Sequence, residues 1–336
     1  MTGTTPTGES GRSSGALETP SKTGTAESPA TARKHRRSGR TGSSTKLRSR
    51  GWAITPWLFL AIPLVLLVVF TYVPVANMFW YSVTDWNGLS KVKNFVGLAN
   101  YTEVFVRPEL FRVFAVSLYY LGASVIQMGL ALYFATVLSF STRFKNLFKG
   151  ILFFPYLING VSIAFVFLYF FQPGGTLDSV LGAVGAGGLQ LQWLGNPDIV
   201  NFSLAGTSVW RFMGLNFVLF LGAIQSIPGG IYEAAELDGA SRWQQFRYII
   251  APGIKPIISL SFILAVSGSL AVFEIPFIML QGANGSATFV IQTINLAFKY
   301  NKVGLASAMA VILLVIILIM TWVQRRLVPD EEVDLI

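Results

Sequence analysis

The sequence is short of the residues on which most enzyme active sites are built. It contains no cysteine and one histidine among 336 residues, which excludes disulfides, thiolate metal sites, cysteine nucleophiles and His-based triads. Charged residues make up only 12% of the chain, against about 25% in a typical soluble domain. Hydrophobic residues make up 53%, and the mean hydropathy is +0.58. The composition therefore predicts an integral membrane protein with no catalytic residue and no metal site.

The net charge of +9 is concentrated at the N-terminus. Residues 1–50 are more than half Gly, Ser and Thr, lack aromatic residues, and end in a basic run from Arg33 to Arg50. Such a segment buries too little apolar area to offset its ordering entropy, so we predict a disordered tail. A nucleic-acid-binding arm is one interpretation of the charge. The basic run stops at the edge of a hydrophobic span, which favours a cytoplasmic tail beside membrane lipids and no nucleic-acid partner.

Six apolar segments are long enough to cross about 30 Å of hydrocarbon as helices. No segment alternates with a period of two over ten residues, so a helical bundle is favoured over a barrel. The predicted fold is an all-α integral membrane domain of six transmembrane helices. The predicted spans are 53–80, 112–140, 150–171, 202–226, 257–281 and 304–324.

The distribution of Lys and Arg predicts the orientation of these spans. If the N-terminus is cytoplasmic, the inside segments carry 18 basic residues and the outside segments 6. Both termini are therefore expected in the cytoplasm of a multi-pass protein of the cell membrane. The predicted organisation is a tail over residues 1–50, a transmembrane domain over 51–327, and a short cytoplasmic tail over 328–336.

The connection between the fourth and fifth spans, residues 227–256, differs from a simple linker. Helix formers predict a short helix over 231–237, with Glu233 and Glu236 near its start, where the helix dipole favours negative charge. Asp238-Gly239 then breaks that helix, and a second short helix follows. We expect two helical pieces that meet at a glycine elbow. The segment either packs on its own bundle or presents a helix to a soluble partner.

The elbow carries a recognisable motif. Glu233-Ala-Ala-x-x-Asp-Gly-Ala240, followed by Phe246, closely resembles the EAA loop of ABC-importer permeases. The resemblance extends over residues 53–327, to sugar-type permeases of the maltose or glycerol-phosphate kind. The further matching motifs are Phe95-Val-Gly-Leu-x-Asn-Tyr101, Phe154-Pro-Tyr156, Trp193-Leu-Gly195, Ala223-Ile-Gln-Ser-Ile-Pro228 and the Gly-rich turn near Gly282.

The resemblance implies the type I ABC-importer permease fold and a set of partners. These are a second homologous permease, two copies of a cytoplasmic ATPase subunit and an extracytoplasmic solute-binding protein. The chain has no G-x-x-x-x-G-K-[ST] phosphate loop, so it is expected to bind no cofactor, with ATP and Mg bound by the ATPase subunits. The elbow helix resembles the coupling helix that docks on the ATPase. The residues implied in coupling are Glu233, Ala234, Ala235, Asp238, Gly239, Ala240 and Phe246.

Two charged residues lie inside predicted spans, where a charge costs roughly 2.5–3.5 kcal/mol on insertion scales. Arg211 and Glu274 either line a substrate path or form a structural pair, and the sequence leaves both interpretations open. Asn159, Gln127 and Asn216 are uncharged candidates for the path, or for hydrogen bonds between helices.

The family resemblance implies further residues of a mid-bundle sugar site. The matching positions are Tyr156, Gly160, Arg211, Phe212, Leu215, Ser267, Gly268 and Ala271. Gly268 and Ala271 depart from the family pattern, because they replace side chains that hydrogen-bond. This departure leaves open whether this subunit or its partner permease holds the sugar.

The expected function is that of a non-enzymatic permease subunit in an ATP-driven importer. It would move a carbohydrate, a di- or oligosaccharide delivered by the solute-binding protein, by alternating access. One alternative keeps the architecture and imports glycerol phosphate or a related anion, with Arg211 facing the charge. Another is a self-powered secondary transporter, which would leave the glycine elbow unexplained.

Overall fold

A computed structural model describes residues 50–140 and 145–327. The predictions for residues 1–49, for Arg143 and for the C-terminal tail 328–336 lie outside the described residues. The helices that enclose the candidate site all lie in one compact unit that begins at Phe59.

The described residues are almost entirely helical and contain no β-strand beyond one isolated antiparallel bridge between Thr84 and Phe95. The all-α prediction is therefore confirmed. The α-helices are α1 (Arg50–Leu67), α2 (Val73–Ser82), α3 (Ala99–Val106), α4 (Pro108–Phe111), α5 (Val113–Ser139), α6 (Lys145–Leu157), α7 (Gly160–Phe171), α8 (Thr176–Ala183), α9 (Val200–Gln225), α10 (Gly229–Leu237), α11 (Arg242–Gln245), α12 (Ala251–Gly253), α13 (Lys255–Leu270), α14 (Glu274–Leu280), α15 (Phe289–Ile294) and α16 (Val303–Leu327). Short π-helices cover Val68–Tyr72, Phe246–Ile250 and Asn295–Lys299, and a 3₁₀ turn covers Gly187–Leu189.

Several of these helices are long and apolar enough to cross a membrane. In the described part of the chain there are five, or six if a pair of helices bent by 96° counts as one span. The five are Trp57–Ser82, Pro108–Ser139, Val200–Gln225, Lys255–Leu280 and Val303–Arg326. The chain is a multi-pass membrane protein.

The third apolar segment is not the continuous helix predicted over 150–171. It consists of α6 and α7, which meet at 96°. The break has a local cause: the side chain of Asn159 caps α7 by accepting a hydrogen bond from the Val161 amide at 2.8 Å. At 1.5 Å per residue each helix is only about 20 Å long, which is less than the hydrocarbon thickness.

The fifth span is also interrupted. It was predicted as one helix over 257–281, but α13 ends at Leu270 and α14 begins at Glu274. The Thr288 hydroxyl donates a hydrogen bond to the carbonyl of Val272 at 2.7 Å. A carbonyl freed by the interruption thereby gains a partner, as the low-dielectric interior of a bundle requires.

The helix connections fall at two ends of the bundle. Hydrogen bonds from Asn284 to the Leu194 carbonyl, and from Asn201 at the start of α9 to the Gly285 carbonyl, join residues 172–201 to the turn at 281–288. We call this the 172–199 end. The opposite ends of α9 and α13 are joined by the connection 226–254, which defines the 226–254 end.

The core is built around the packing of α5 against α9. Phe217 and Phe220 of α9 are fully buried among Ala131 and Ala135 of α5, in a cluster at the 226–254 end. A second cluster at the 172–199 end joins the other halves of α5 and α9 to α7 and α14. Between these two clusters the helices separate enough to leave a cavity.

Candidate functional site

A cavity of about 460 Å³ lies within the bundle, between α5, α9, α13 and the start of α14. Small-molecule sites in proteins typically enclose about 300–1,000 Å³, so the cavity has the size of a ligand site. It is lined by Tyr120, Ala123, Ser124, Gln127, Ser208, Arg211, Phe212, Leu215, Asn216, Leu219, Ser261, Leu264, Ala265, Gly268, Ser269, Ala271, Val272, Phe273, Glu274 and Ile275.

One end of the cavity carries an ion pair. Arg211 on α9 donates from Nη1 to Oε2 of Glu274 at 2.5 Å. The guanidinium carbon of Arg211 also lies 5.0 Å from the centre of the Phe212 ring. Arg211 and Glu274 were open to two interpretations, and they are both paired and part of the cavity wall. Because the pair is internal, the charge of Arg211 is neutralised within this chain.

The interruption of the fifth span places Glu274 at this end. Residues 271–273 leave helical geometry, and Glu274 then occupies the first turn of α14. Carboxylates are stabilised near helix N-termini, and Phe273 and Phe277 stack at 4.7 Å beside this turn. A continuous helix would have carried Glu274 past the level of Arg211, so the break brings the carboxylate to its partner.

The break in the third segment meets the same pair. Gly160 begins α7, and a Cβ placed on it would overlap the Glu274 carboxylate and the Arg211 guanidinium. A side chain at this position would therefore have to displace the ends of both charged side chains. On the other side of the break, the ring of Tyr156 lies 6.4 Å from that of Phe212. Two helix interruptions, from different segments, therefore converge on one ion pair.

Seven of the eleven predicted substrate-path residues line the cavity. They are Arg211, Phe212, Leu215, Asn216, Gly268, Ala271 and Glu274. The other four, Tyr156, Asn159, Gly160 and Ser267, are not among its lining residues. Of these, Gly160 contacts the ion pair, Tyr156 lies beside Phe212, and Asn159 serves as the helix cap.

The helix α5 contributes polar residues that were not predicted for the path, with the exception of Gln127. Tyr120, Ser124 and Gln127 all line the cavity from this helix. Their spacing of four and then three residues places them on one face, and this was the signal available in an otherwise apolar span. Ser261 and Ser269 of α13 line the cavity too and were likewise missed.

The glycine elbow of the 226–254 connection has the predicted geometry. Gly239 has a φ of 75°, and the amides of Gly239 and Ala240 donate to the carbonyls of Glu236 and Ala235 at 3.0 and 2.9 Å. This is the Schellman pattern that ends a helix at a left-handed residue. Ser241 then begins α11 with a capping box formed with Gln244, and the Ser-x-x-Gln spacing was its sequence signal.

The position of the acidic residues in α10 corrects the sequence interpretation. The helix begins at Gly229, two residues earlier than predicted, and its first turn contains no acidic residue. Glu233 and Glu236 therefore lie in the middle and near the end of α10, not near its start. The reason is that Pro228 acts as the N-cap, so Gly229 and Gly230 belong to the first turn of the helix.

The elbow exposes a group of large apolar side chains. Leu237 is 90% exposed, Trp243 69% and Tyr248 74%. Of the predicted coupling residues, Glu233, Ala234, Asp238 and Gly239 are exposed, whereas Ala235, Ala240 and Phe246 are half-buried. By contrast the hydroxyl of Tyr232 is buried, and its burial raises the pKa of that phenol above the usual 10.0.

In residues 50–140 and 145–327, no group of three or more His, Asp or Glu side chains is placed to hold a metal ion. The polar chemistry of the cavity thus consists of one ion pair with neutral amides and hydroxyls. Such a wall can bind and orient a solute, and it offers no nucleophile with an adjacent base.

Residues 127–332 match the family described as the binding-protein-dependent transport system inner membrane component, and the chain belongs to this family. The family match identifies the chain as the membrane-embedded permease component of a transport system.

Curated relatives cover most of the chain. A probable ABC transporter permease protein, YurN of Bacillus subtilis, is 32% identical over 81% of this chain and 95% of its own length. The multiple sugar-binding transport system permease protein MsmF of Streptococcus mutans is 32% identical over 86% of this chain and 99% of its own. Both identify the chain as an ABC transporter permease.

Solved structures share the fold. A chain from the crystal structure of a bacterial alginate ABC transporter, in complex with an alginate pentasaccharide-bound periplasmic protein, superposes with a TM-score of 0.72. The match has 20% sequence identity and covers 83% of this chain and 94% of that one. The ABC-importer permease fold predicted from the sequence is confirmed.

Proposed function

We propose that this chain is one permease subunit of an ATP-driven importer that carries a saccharide across the cell membrane. The observation that carries the proposal is the mid-bundle cavity, where an aromatic ring, an ion pair and several hydroxyls and amides share one wall. The names of relatives that move sugars, among them MsmF and the lactose transport permease LacF of Rhizobium radiobacter, support a sugar cargo.

The internal pairing of Arg211 favours a neutral saccharide over an anionic solute such as glycerol phosphate. An anion would have to compete with Glu274 for the guanidinium, at the cost of leaving a carboxylate without its partner. The neutral hydroxyls of a sugar can instead bond to the remaining donors without separating the pair. Phe212 lines the cavity and would offer an apolar ring to a bound sugar.

The elbow at the 226–254 end is proposed to dock on a cytoplasmic ATPase subunit. Exposed Leu237 and Trp243 flank the Gly239 turn, and a stable element of this kind in water needs an apolar partner surface. The small residues Ala234 and Ala235 permit close approach, and Glu233 is free to pair with a partner cation. ATPase closure would then rock the bundle between inward- and outward-facing states.

The complete assembly is proposed to contain a second permease, two ATPase subunits that bind ATP and Mg, and an extracytoplasmic solute-binding protein. The orientation that this requires, with both termini and the 226–254 end in the cytoplasm, follows from the Lys and Arg asymmetry. Labelling from outside of a cysteine introduced at position 242 in sealed cells would contradict it.

The experiment that tests the proposed function uses Gly239→Val and Glu233→Lys. Both variants are expected to insert with the partner permease and to lose ATPase association or solute-stimulated hydrolysis. Matched controls lie at the other end of the bundle. Gly185 also has a positive φ and open space around it, so Gly185→Val introduces the same backbone strain elsewhere. Glu109→Lys reverses the charge of another exposed acidic residue.

The controls are expected to retain normal ATPase recruitment. If Gly239→Val and Glu233→Lys recruit the ATPase and transport as the unmodified protein does, the coupling role of the elbow is wrong. A second variant tests the cavity: Phe212→Ala should slow transport while assembly and basal ATPase activity persist. If that variant fails to assemble, Phe212 has a structural role in helix packing, and its proposed role in sugar binding is wrong.

A further inference from the structure

The cavity has two chemically different ends. The ion pair occupies one end, whereas Gln127 of α5, Asn216 of α9 and Ser261 of α13 lie nearer the 226–254 end. Ser261 is eight residues, or about 12 Å of helix, from Ser269 at the other end of the same wall. We call Gln127, Asn216 and Ser261 the amide station.

The residues of the amide station are buried, and the hydroxyl of one of them, Ser261, has no hydrogen-bond partner among the described residues. Gln127 and Asn216 are each 7% exposed and Ser261 is 3% exposed. The Ser261 hydroxyl forms no hydrogen bond with any described residue. A buried polar group without a partner costs about 1–3 kcal/mol, so groups of this kind generally have a partner in the functional state.

The hydrogen bonding of Ser261 differs from that of the other serines in the same wall, whereas the Tyr120 hydroxyl near the ion-pair end is also without a partner. Ser269 and Ser124 also line the cavity, but their hydroxyls donate to the carbonyls of Val266 and Tyr120 at 2.8 Å. A serine bonded to its own helix is satisfied and has no need of a ligand. Ser261 lies on the same helix as Ser269 and is equally buried, yet it remains unbonded.

The chemistry of the amide station matches the hydroxyl groups of a neutral saccharide. Side-chain amides and a serine hydroxyl both donate and accept, as does every sugar hydroxyl, and none carries a charge. We propose that the amide station is a second binding subsite, which holds one sugar unit while the next unit lies against the Arg211–Glu274 pair. This inference rests on the proposed function and specifies its cargo as a neutral saccharide of two or more units.

The test compares Ser261→Ala with Ser259→Ala in the complete transporter, purified with its partner permease and ATPase subunits. Ser259 lies on the same helix outside the cavity wall, and its hydroxyl donates to the Lys255 carbonyl at 2.9 Å. The probes are tritiated lactose, maltose and raffinose, with glucose as the single-unit sugar. Binding is measured by scintillation proximity without the solute-binding protein. Uptake into liposomes is measured with the solute-binding protein saturated.

Ser261→Ala is expected to weaken binding of the transported di- or trisaccharide by about 2- to 10-fold, the value of one hydrogen bond. Ser259→Ala should bind it as the unmodified transporter does, and Ser261→Ala should weaken glucose binding less than binding of the longer sugar. Thermal stability of Ser261→Ala should not fall, because the removed hydroxyl had no partner to lose. Gln127→Leu is expected to act in the same direction as Ser261→Ala.

The outcomes separate the inference from the proposed function. If the unmodified transporter moves none of the sugars, the proposed sugar cargo fails and the subsite fails with it. If it moves one of them and Ser261→Ala binds that sugar as well as Ser259→Ala does, the amide station holds water only. In that case the subsite is wrong and the proposed function stands.

Discussion

The protein interrupts its helices in two contrasting places. At the break between α6 and α7, Asn159 caps the new helix and Gly160 follows it; at the elbow, Gly239 ends one helix and Ser241 caps the next. The two breaks use similar residues, because each has a glycine and a capping side chain within three residues of each other. The surroundings differ, because Gly160 is buried against an ion pair and Gly239 is exposed.

The two glycines are needed for different physical reasons. A Cβ on Gly160 has no room, although its backbone angles are ordinary for a helix. A Cβ on Gly239 meets no atom within 4 Å, but the φ of 75° disfavours any residue with a side chain. Within the bundle the constraint is space, and at its surface the constraint is backbone conformation.

The largest effect is expected for Gly160→Val. The added side chain would separate Arg211 from Glu274 and displace α7, which we expect to cost about 3 kcal/mol of folding free energy. Thermal unfolding of the purified protein in detergent measures the loss. Gly268→Val is the control, because Gly268 also lines the cavity but has open space around it. Equal stability of the two variants would contradict the close contact at Gly160.

The ion pair itself provides the next test. Arg211→Met leaves Glu274 without its partner, and we expect a loss of about 1–3 kcal/mol because the Glu274 side chain keeps 41% exposure. Removing both charges in Arg211→Met/Glu274→Leu should recover most of that loss. A double-mutant cycle of thermal stabilities gives the coupling energy, and simple additivity would show that the two charges act independently.

A smaller effect is expected at the elbow. Gly239→Ala should cost about 1 kcal/mol through its positive φ, and Gly239→Asn should cost less, because Asn tolerates left-handed geometry better. Hydrogen exchange of the α10 amides reports local opening at this level. If Ala and Asn behave alike, the backbone conformation of Gly239 is not the limiting factor.

The smallest effect concerns Tyr232, which packs beside the elbow. Burial raises its pKa, so the fold favours the neutral phenol. Its contribution to stability is present below pH 10 and is lost as the pH rises through the raised pKa. At high pH we expect the amides of α10 to exchange faster because Tyr232 ionises. Tyr232→Phe should remove this pH-dependent increase in exchange, whereas Tyr248→Phe, at an exposed position, should leave it unchanged. Hydrogen exchange compared above and below pH 10 makes the measurement.

Much of the fold could be predicted from the sequence. A long apolar segment in a membrane has few alternatives to a helix, and an Asp-Gly pair after helix formers usually ends the helix in a turn. The φ of Gly239 followed from its position after a run of helix formers. The breaks at 158–159 and 271–273 were missed, although Asn159 is a common N-cap. Hydropathy averages over such interruptions, since a broken apolar segment remains as hydrophobic as a continuous one.

The candidate site was predictable only in part. Intramembrane charges are conspicuous, which is why Arg211 and Glu274 were identified before their contact was known. Gln127 was noticed as an isolated polar residue, and Ser261 was not noticed, because serine is common in spans and usually bonds to its own helix. Whether a serine has a partner depends on tertiary contacts that one sequence does not reveal.

The hydrogen bonds at the 172–199 end have a mechanical consequence. Asn284 of the 281–288 turn donates to the Leu194 carbonyl, Asn201 at the start of α9 donates to the Gly285 carbonyl, and the Ser203 hydroxyl of α9 donates to the Trp193 carbonyl. Each of the three segments is therefore bonded to the other two. We expect the 172–199 segment, the turn and the start of α9 to move together when the bundle changes conformation.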